Sequence, residues 1–439
     1  MKTFLQPLQN LAEMEEIQKQ AKKNRGILEI SGCMESQKAH LMYGLSGLFP
    51  CHLVIAADEK SAKELYEDYR FYDKRVYYYP AKDLLFFQAD IHGNLLIRQR
   101  MQVIRALLER EDEITVVTSI DGCMDYLVPL EKIEKQLIHF RNDSTLDMDK
   151  LTAALVHMGY ERVGQVEMPG QFSIRGGIID IYSLTEENPW RIELWGDEID
   201  SIRSFDAQSQ RSLENLDDVT IYPAAEQPME KNGVSFLDYF KETETLFFLD
   251  ELNHLEENAK AVQEEFQQSC ENRKEKGEIS LSGDWMCTWE ELCHKINDRN
   301  CVAMSLLDPK KSNWKISGQF NITVKSMSSY QSSFELLVKD LKQYKKEGYQ
   351  IVLLSGSRTR AERLAKDLQE EGLNAFYGQD SDRILQPGEI MVAYGHARRG
   401  FEYPLIKFAV ITETDIFGKE QKKRKKKKEY NGKRIQDFS

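Results

Sequence analysis

Two stretches of this sequence carry residue types whose spacing could do chemistry. The first is Ser31-Gly32-Cys33-Met34-Glu35-Ser36-Gln37-Lys38-Ala39, which follows the strand-like run Gly26-Ile27-Leu28-Glu29-Ile30 and leads into a helical pattern through Leu48. A strand, a glycine turn and a helix are the setting of a phosphate loop, whose working form reads GxxxxGK[ST]. In that register Gly32 and Lys38 are retained. Gln37 stands where the second glycine would let the backbone approach a phosphate, and Ala39 removes the hydroxyl that would hold magnesium. Glu35 adds a negative charge where polyphosphate would lie. The second stretch, Thr245-Leu246-Phe247-Phe248-Leu249-Asp250-Glu251, is an apolar run ending in two carboxylates. In an ATPase the aspartate would hold magnesium and the glutamate would position water. Without a competent phosphate loop that pair has no substrate, so Gly32, Gln37, Lys38 and Ala39 read as a degenerate loop, and Asp250 and Glu251 as a relic strand end.

A third stretch offers recognition instead of catalysis. From Met168-Pro169-Gly170 to Asp206, apolar and polar residues alternate with period two between Pro-Gly, Asn-Pro and Gly-Asp turn signals, the pattern of an antiparallel sheet. One face is expected to be apolar and the other to carry Arg175, Arg191, Glu193 and Trp195. Arginines with a carboxylate and an aromatic suit a protein-binding surface; cross-strand ion pairs on a solvated face would have the same composition. In this pattern Ile199 and Ile202 fall on opposite faces.

The elements that position these stretches alternate strand and helix. His52–Ala57, Val76–Pro80 and Ile114–Thr118 read as strands, with a helix from Ser61 to Phe71, which indicates a parallel sheet in an α/β domain. Residues 1–24 read as one amphipathic lead-in helix. In the helix that follows Ala81, Arg98, Arg100 and Arg105 could touch nucleic acid but are expected rather on a solvated face. After Tyr222-Pro223 the α/β pattern resumes, with a long charged helix over 252–275. A separate α/β unit begins near 325, with strands at 350–357, 389–393 and 408–413; Arg358, Arg360, Arg398 and Arg399 read there as scattered cations that could form an interface but are expected mainly to solubilise.

Composition narrows the classes further. At 439 residues the chain holds two to four domains. No run of about 18 apolar residues exists, so no membrane-spanning helix is expected. The seven cysteines contain no CxxC pair, and Cys287, Cys293 and His294 lack ligand spacing, so neither a disulfide framework nor a metal site is expected and the compartment reads as a reducing cytoplasm. The net charge is −13, but Lys419 to Arg434 holds ten Lys/Arg against two Glu, a local +8 that leaves −21 on the rest. So acidic a body is a poor general DNA binder. The basic end, which could touch phosphate weakly through Lys422 to Lys428, reads as a linker within a longer protein.

PAKDLLFFQADIHGNLLIRQR, MPGQFSIRGGIIDIYSLTEENPWRIELWGDEIDSIRSFDAQSQRS and ITETDIFGKEQKKRKKKK resemble the amino-terminal half of the bacterial transcription-repair coupling factors over essentially all residues. The central stretch is also similar to the UvrA-binding domain of the repair helicase subunit UvrB. The resemblance implies a degenerate helicase-like parallel-sheet domain (1–126 and 216–324) with an antiparallel-sheet α+β domain inserted (127–215). A second small α/β domain (325–417) and a basic linker (418–439) would follow. It implies UvrA as partner, with contacts at Arg162, Arg175 and Glu193 and with Arg191 and Phe172 adjacent, although alternation alone puts Phe172 on the apolar face. One further UvrB arginine position is Ser173 here, and UvrB's tyrosine-rich hairpin has no counterpart beyond Tyr77-Tyr78-Tyr79. The parent protein would displace stalled RNA polymerase on DNA with an ATP- and magnesium-dependent motor that this chain lacks, leaving a non-catalytic module without cofactor. The competing expectation is an ATP-dependent DNA-unwinding repair enzyme of the UvrB type, which Gln37, Ala39 and the missing hairpin oppose.

Overall fold

The structure, a computed structural model, describes residues 1–23, 25–82, 93–111, 113–226, 233–276, 286–308, 314–378 and 382–418. The basic stretch from Lys419, with Lys422 to Lys428, and most of the AKDLLFFQADIHG segment lie outside the described residues.

A seven-stranded sheet forms the body. Its strands run in the order Ile316–Asn321, Gly26–Ser31, Asn300–Ser305, Thr245–Asp250, Cys51–Ala56, Ile114–Ser119, Val76–Tyr79. Every adjacent pair is parallel. Helices cover both faces, so the inner strands are buried throughout, which is why GILEIS and TLFFLD read as near-continuous apolar runs. The body is drawn from two separated parts of the chain, before and after the insertion. The lead-in is two helices, Lys2–Leu8 and Met14–Lys23, not one: Gln9 to Glu13 turn between them, and Leu11 is buried in the turn.

The inserted unit is a six-stranded sheet ordered Ser212–Leu216, Glu198–Phe205, Trp190–Trp195, Ile178–Ile181, Gln171–Arg175, Glu161–Arg162. It is antiparallel except for the last pair. Its own core joins Phe140, Leu155, Phe172, Ile179, Ile192 and Ile202. The unit extends past residue 215, because Asp218–Ile221 pairs with Ile138–Arg141 and Val219, Ile221 and Ala224 belong to the same core. Ile199 and Ile202 are both buried, contrary to strict alternation. The register shifts between Glu193 and Leu194, so that Ser201 and Ile199 face consecutive partners and Asp200 is the extra residue of a β-bulge. The bulge turns Ile199 back into the core.

Residues 325–417 form a second α/β unit. Four parallel strands, Phe408–Thr412, Gln350–Ser355, Ile390–Tyr394 and Ala375–Tyr377, are extended at one edge by the antiparallel Phe401–Tyr403 and Lys325–Ser326. One hydrophobic core runs through the contact between this unit and the body, joining Phe4, Leu41 and Met42 to Met391, Phe401 and Phe408. Arg398 is therefore no scattered cation. Its backbone N–H and Nε donate to the two carboxylate oxygens of the buried Asp68, at 2.9 and 3.0 Å, and its Nη1 reaches Glu64 at 2.5 Å.

Arg100 differs from expectation in the same way. It is fully buried in place of lying on a solvated helix face. Its guanidinium stacks 4.3 Å over the Tyr79 ring, donates to Pro80 O at 3.0 Å and to Asp125 at 3.2 Å, and pairs with Glu226. Asp125 and Glu226 stand where the chain leaves the body for the insertion and where it returns, so one cation ties both crossings. Burial pushes the Asp125 carboxyl up to about 6.

Candidate functional site

At the degenerate loop, Gly32 has a left-handed backbone, φ +80°, and a Cβ there would stand 2.0 Å from the carbonyl oxygen of Ile322. Only glycine fits beneath that passing chain. Three amides at the start of the loop are already bonded: Gly32 N–H to Leu306 O at 3.3 Å, Cys33 N–H to Ser305 O at 3.0 Å, and Met34 N–H to Gln37 Oε1 at 3.0 Å. Gln37 is fully buried and donates from Nε2 to the Tyr403 hydroxyl at 2.7 Å. Ala39 lies in the core, and Ser36 accepts the N–H of Arg399 at 3.1 Å.

Lys38 is drawn inward. Its side chain is 7% exposed, and Nζ lies 2.6 Å from both Asp250 Oδ1 and Glu251 Oε1. Burial opposes its charge, but the two carboxylates outweigh burial and hold the ammonium above its ordinary range. Glu251 has a left-handed backbone, φ 54°, at the start of helix Leu252–Glu275, and its Oε1 also accepts the Leu306 N–H at 3.0 Å. The residues singled out for phosphate chemistry thus come together and saturate one another. Burial likewise pushes the neighbouring Cys33 thiol up to about 12.

The polar side of the inserted sheet is built differently. Cross-strand register aligns Ser173, Asp180 and Arg191 in one row, and Arg175, Ile178 and Glu193 in the next. Asp180, which sequence reasoning missed, is buried, with its carboxylate between two arginines. Arg191 is only 14% exposed. It meets Asp180 through Nε at 2.7 Å and Nη2 at 2.9 Å, reaches Gln210 Oε1 at 3.1 Å, and stacks 4.4 Å over Phe205. Arg175, 48% exposed, spends one N–H on Asp180 Oδ2 at 2.6 Å. Glu193 accepts from Arg203 at 2.5 and 3.1 Å and from the Ser201 hydroxyl at 3.2 Å. Ser173 is buried and donates to Gly164 O at 3.0 Å, so a loop covers that row.

Two neighbouring hairpin turns, at Gly176-Gly177 and Gly196-Asp197, end the sheet on the Arg175 side, and Leu194 N–H bonds Gly177 O at 2.8 Å between them. Trp195 stands at the second turn, 83% exposed. Its alternation with Arg191 and Glu193 was the sequence signal that placed it on this face. Arg162 is exposed on the short strand at the far edge, but it is in register with Phe172 and so on the opposite side of the sheet from Arg175. Phe172 does not join them: it is fully buried among Leu155, Ile181 and Trp190. Its placement beside the contact residues is corrected by packing, as the alternation implied.

The architecture defines the class: a mixed α/β protein whose large parallel sheet carries an inserted antiparallel sheet. Residues 138–226 match the UvrB interaction domain family. The chain is similar to the amino-terminal half of transcription-repair-coupling factors. The factor of Bacillus subtilis is 30% identical over 93% of this chain and 41% of its own length. That of Staphylococcus haemolyticus is 25% identical over 80% of this chain and 34% of its own. The chain thus spans less than half the length of the curated relatives it matches. A DEAD box protein from the hyperthermophile Methanococcus jannaschii aligns over 90% of this chain and 78% of its own at 10% identity, with a TM-score of 0.29, too low to bear on the argument.

Proposed function

We propose that this chain is a non-catalytic recruitment module of a transcription-repair coupling factor, and that its inserted sheet docks UvrA. The observation that carries the reading is the contrast on that sheet. Buried polar groups are paired internally, while Arg175 and Trp195 stand outward at adjacent turns. An exposed tryptophan beside an arginine with unused N–H groups is the composition of an interface hot spot. The Glu193–Arg203 pair extends the contact, and Arg191 serves as a strut beneath it. The loop of Gly32 to Ala39 binds no nucleotide, because Lys38 is held by Asp250 and Glu251 and the amides of Gly32, Cys33 and Met34 are already bonded. ATP-driven displacement of RNA polymerase on DNA belongs to the remainder of such a factor, in the cytoplasm, and this chain supplies the link to excision repair.

Titration calorimetry of the full chain against purified UvrA tests the reading. Arg175→Ala is expected to weaken binding by about 2 kcal/mol, with an unchanged circular dichroism spectrum. Binding equal to wild type would refute it.

A further inference from the structure

The two arginines flanking Asp180 read alike in sequence and differ in the structure. Three of the roughly four acceptor positions on the Asp180 carboxylate are filled: Oδ1 by Arg191 Nε, and Oδ2 by Arg191 Nη2 and Arg175 Nη2. Arg191 is otherwise consumed by Gln210 and the Phe205 ring. Arg175 gives Asp180 one of its five N–H groups and keeps the rest toward solvent. A long side chain on a sheet face would sample many rotamers, and a partner would have to freeze it on binding. Tethering one Nη to a buried, immobile carboxylate removes most of that freedom beforehand and fixes the plane of the guanidinium.

The geometry points to Asp180 as the positioning residue of the docking face: from within the sheet it presets the Arg175 guanidinium as a flat, bidentate donor for a carboxylate of the partner. This deepens the proposed docking of UvrA and rests on it. Asp180 touches no partner atom. Arg191 holds the Asp180 carboxylate in place, and Arg175 carries the contact. The specificity that follows is for a carboxylate, which accepts two parallel N–H bonds, over a lone carbonyl.

The test is a double-mutant cycle on the full chain, titrated with purified UvrA. Asp180→Asn is expected to lose roughly tenfold in affinity or more, and in the Arg175→Ala background to cost less than about threefold, because the two act as one unit. Arg175→Lys keeps the charge on an exposed position but not the fork, and is expected to lose nearly as much affinity as Arg175→Ala. Should Asp180→Asn fail to fold by circular dichroism, Arg175→Lys decides. Wild-type affinity in Asp180→Asn, an equal loss in both backgrounds, or rescue by lysine would each overturn the positioning role. Those results, alongside a clear loss in Arg175→Ala, would leave the docking reading standing. No loss in Arg175→Ala would remove the docking reading itself.

Discussion

The loop at Gly32–Ala39 and the polar face at Arg175–Trp195 use the same currency of cations and carboxylates with opposite results. At the loop, the lysine points inward, both carboxylates converge on it, and a second unit closes over Gln37 and Ser36 through Tyr403 and Arg399. On the inserted sheet the carboxylate is the buried member, and one of its two arginines stays half outside. A buried anion that tethers an exposed cation presents charge; a buried cation between two anions conceals it. The difference separates a scaffold from a docking surface more sharply than residue type does.

The concealed side should show its effect in stability, and the largest is expected at Lys38. Lys38→Met leaves Asp250 and Glu251 facing each other in a mostly buried cleft without a counter-charge. Removing one partner of a buried ion pair costs about 3–5 kcal/mol. Chemical denaturation should register a loss of that order, while affinity for UvrA stays at the wild-type value. A near-neutral Lys38→Met would break the comparison, because the lysine would then be dispensable to the closed loop.

His40 gives the next effect. It is fully buried where the two α/β units meet, its Nε2 2.8 Å from Phe4 O and its Nδ1 3.3 Å from the Tyr403 hydroxyl, among the rings of Phe401 and Phe408. Burial lowers its pKa from 6.5 to about 4. The unfolded chain therefore takes up a proton that the folded chain refuses. The stability is fully present above pH 6.5 and lost as pH falls toward 4, a change of up to about 3 kcal/mol. Comparing wild type with His40→Gln from pH 7 to 4 should show a steeper fall in the wild type. Parallel curves would mean that the junction between the units does not exclude the charged imidazole.

Much of this was legible locally. The departures at Gln37 and Ala39, the alternation of Trp190–Trp195 and the helix Leu252–Glu275 follow from neighbours in sequence. What was not legible depends on distant partners. Lys38 meets Asp250 across 212 residues, and Gln37 meets Tyr403 across 366. Helical period gives Arg100 a face but not the Tyr79 ring and the two crossing segments that enclose it. A single bulge residue, Asp200, reverses the sidedness of Ile199, and alternation cannot announce a bulge. Asp180 escaped notice because Ile178-Ile179-Asp180-Ile181 reads as an ordinary strand; its role appears only when Arg175 and Arg191 arrive on neighbouring strands.

The smallest expected effect is also the sharpest test of the contrast. If Trp195 is presented and not packed, Trp195→Ala should change folding stability by no more than about 0.5 kcal/mol, because a side chain left 83% exposed buries little area. The same substitution should weaken UvrA binding by about 2 kcal/mol, since a tryptophan covered by a partner buries most of its surface. Denaturation and calorimetry on one variant thus read the two sides of the argument separately. A stability loss above about 1 kcal/mol would mean that the indole packs on its own hairpin, and the face would then present charge without an apolar anchor. An unchanged stability with a clear loss of affinity would locate the function of Trp195 outside the fold that holds it.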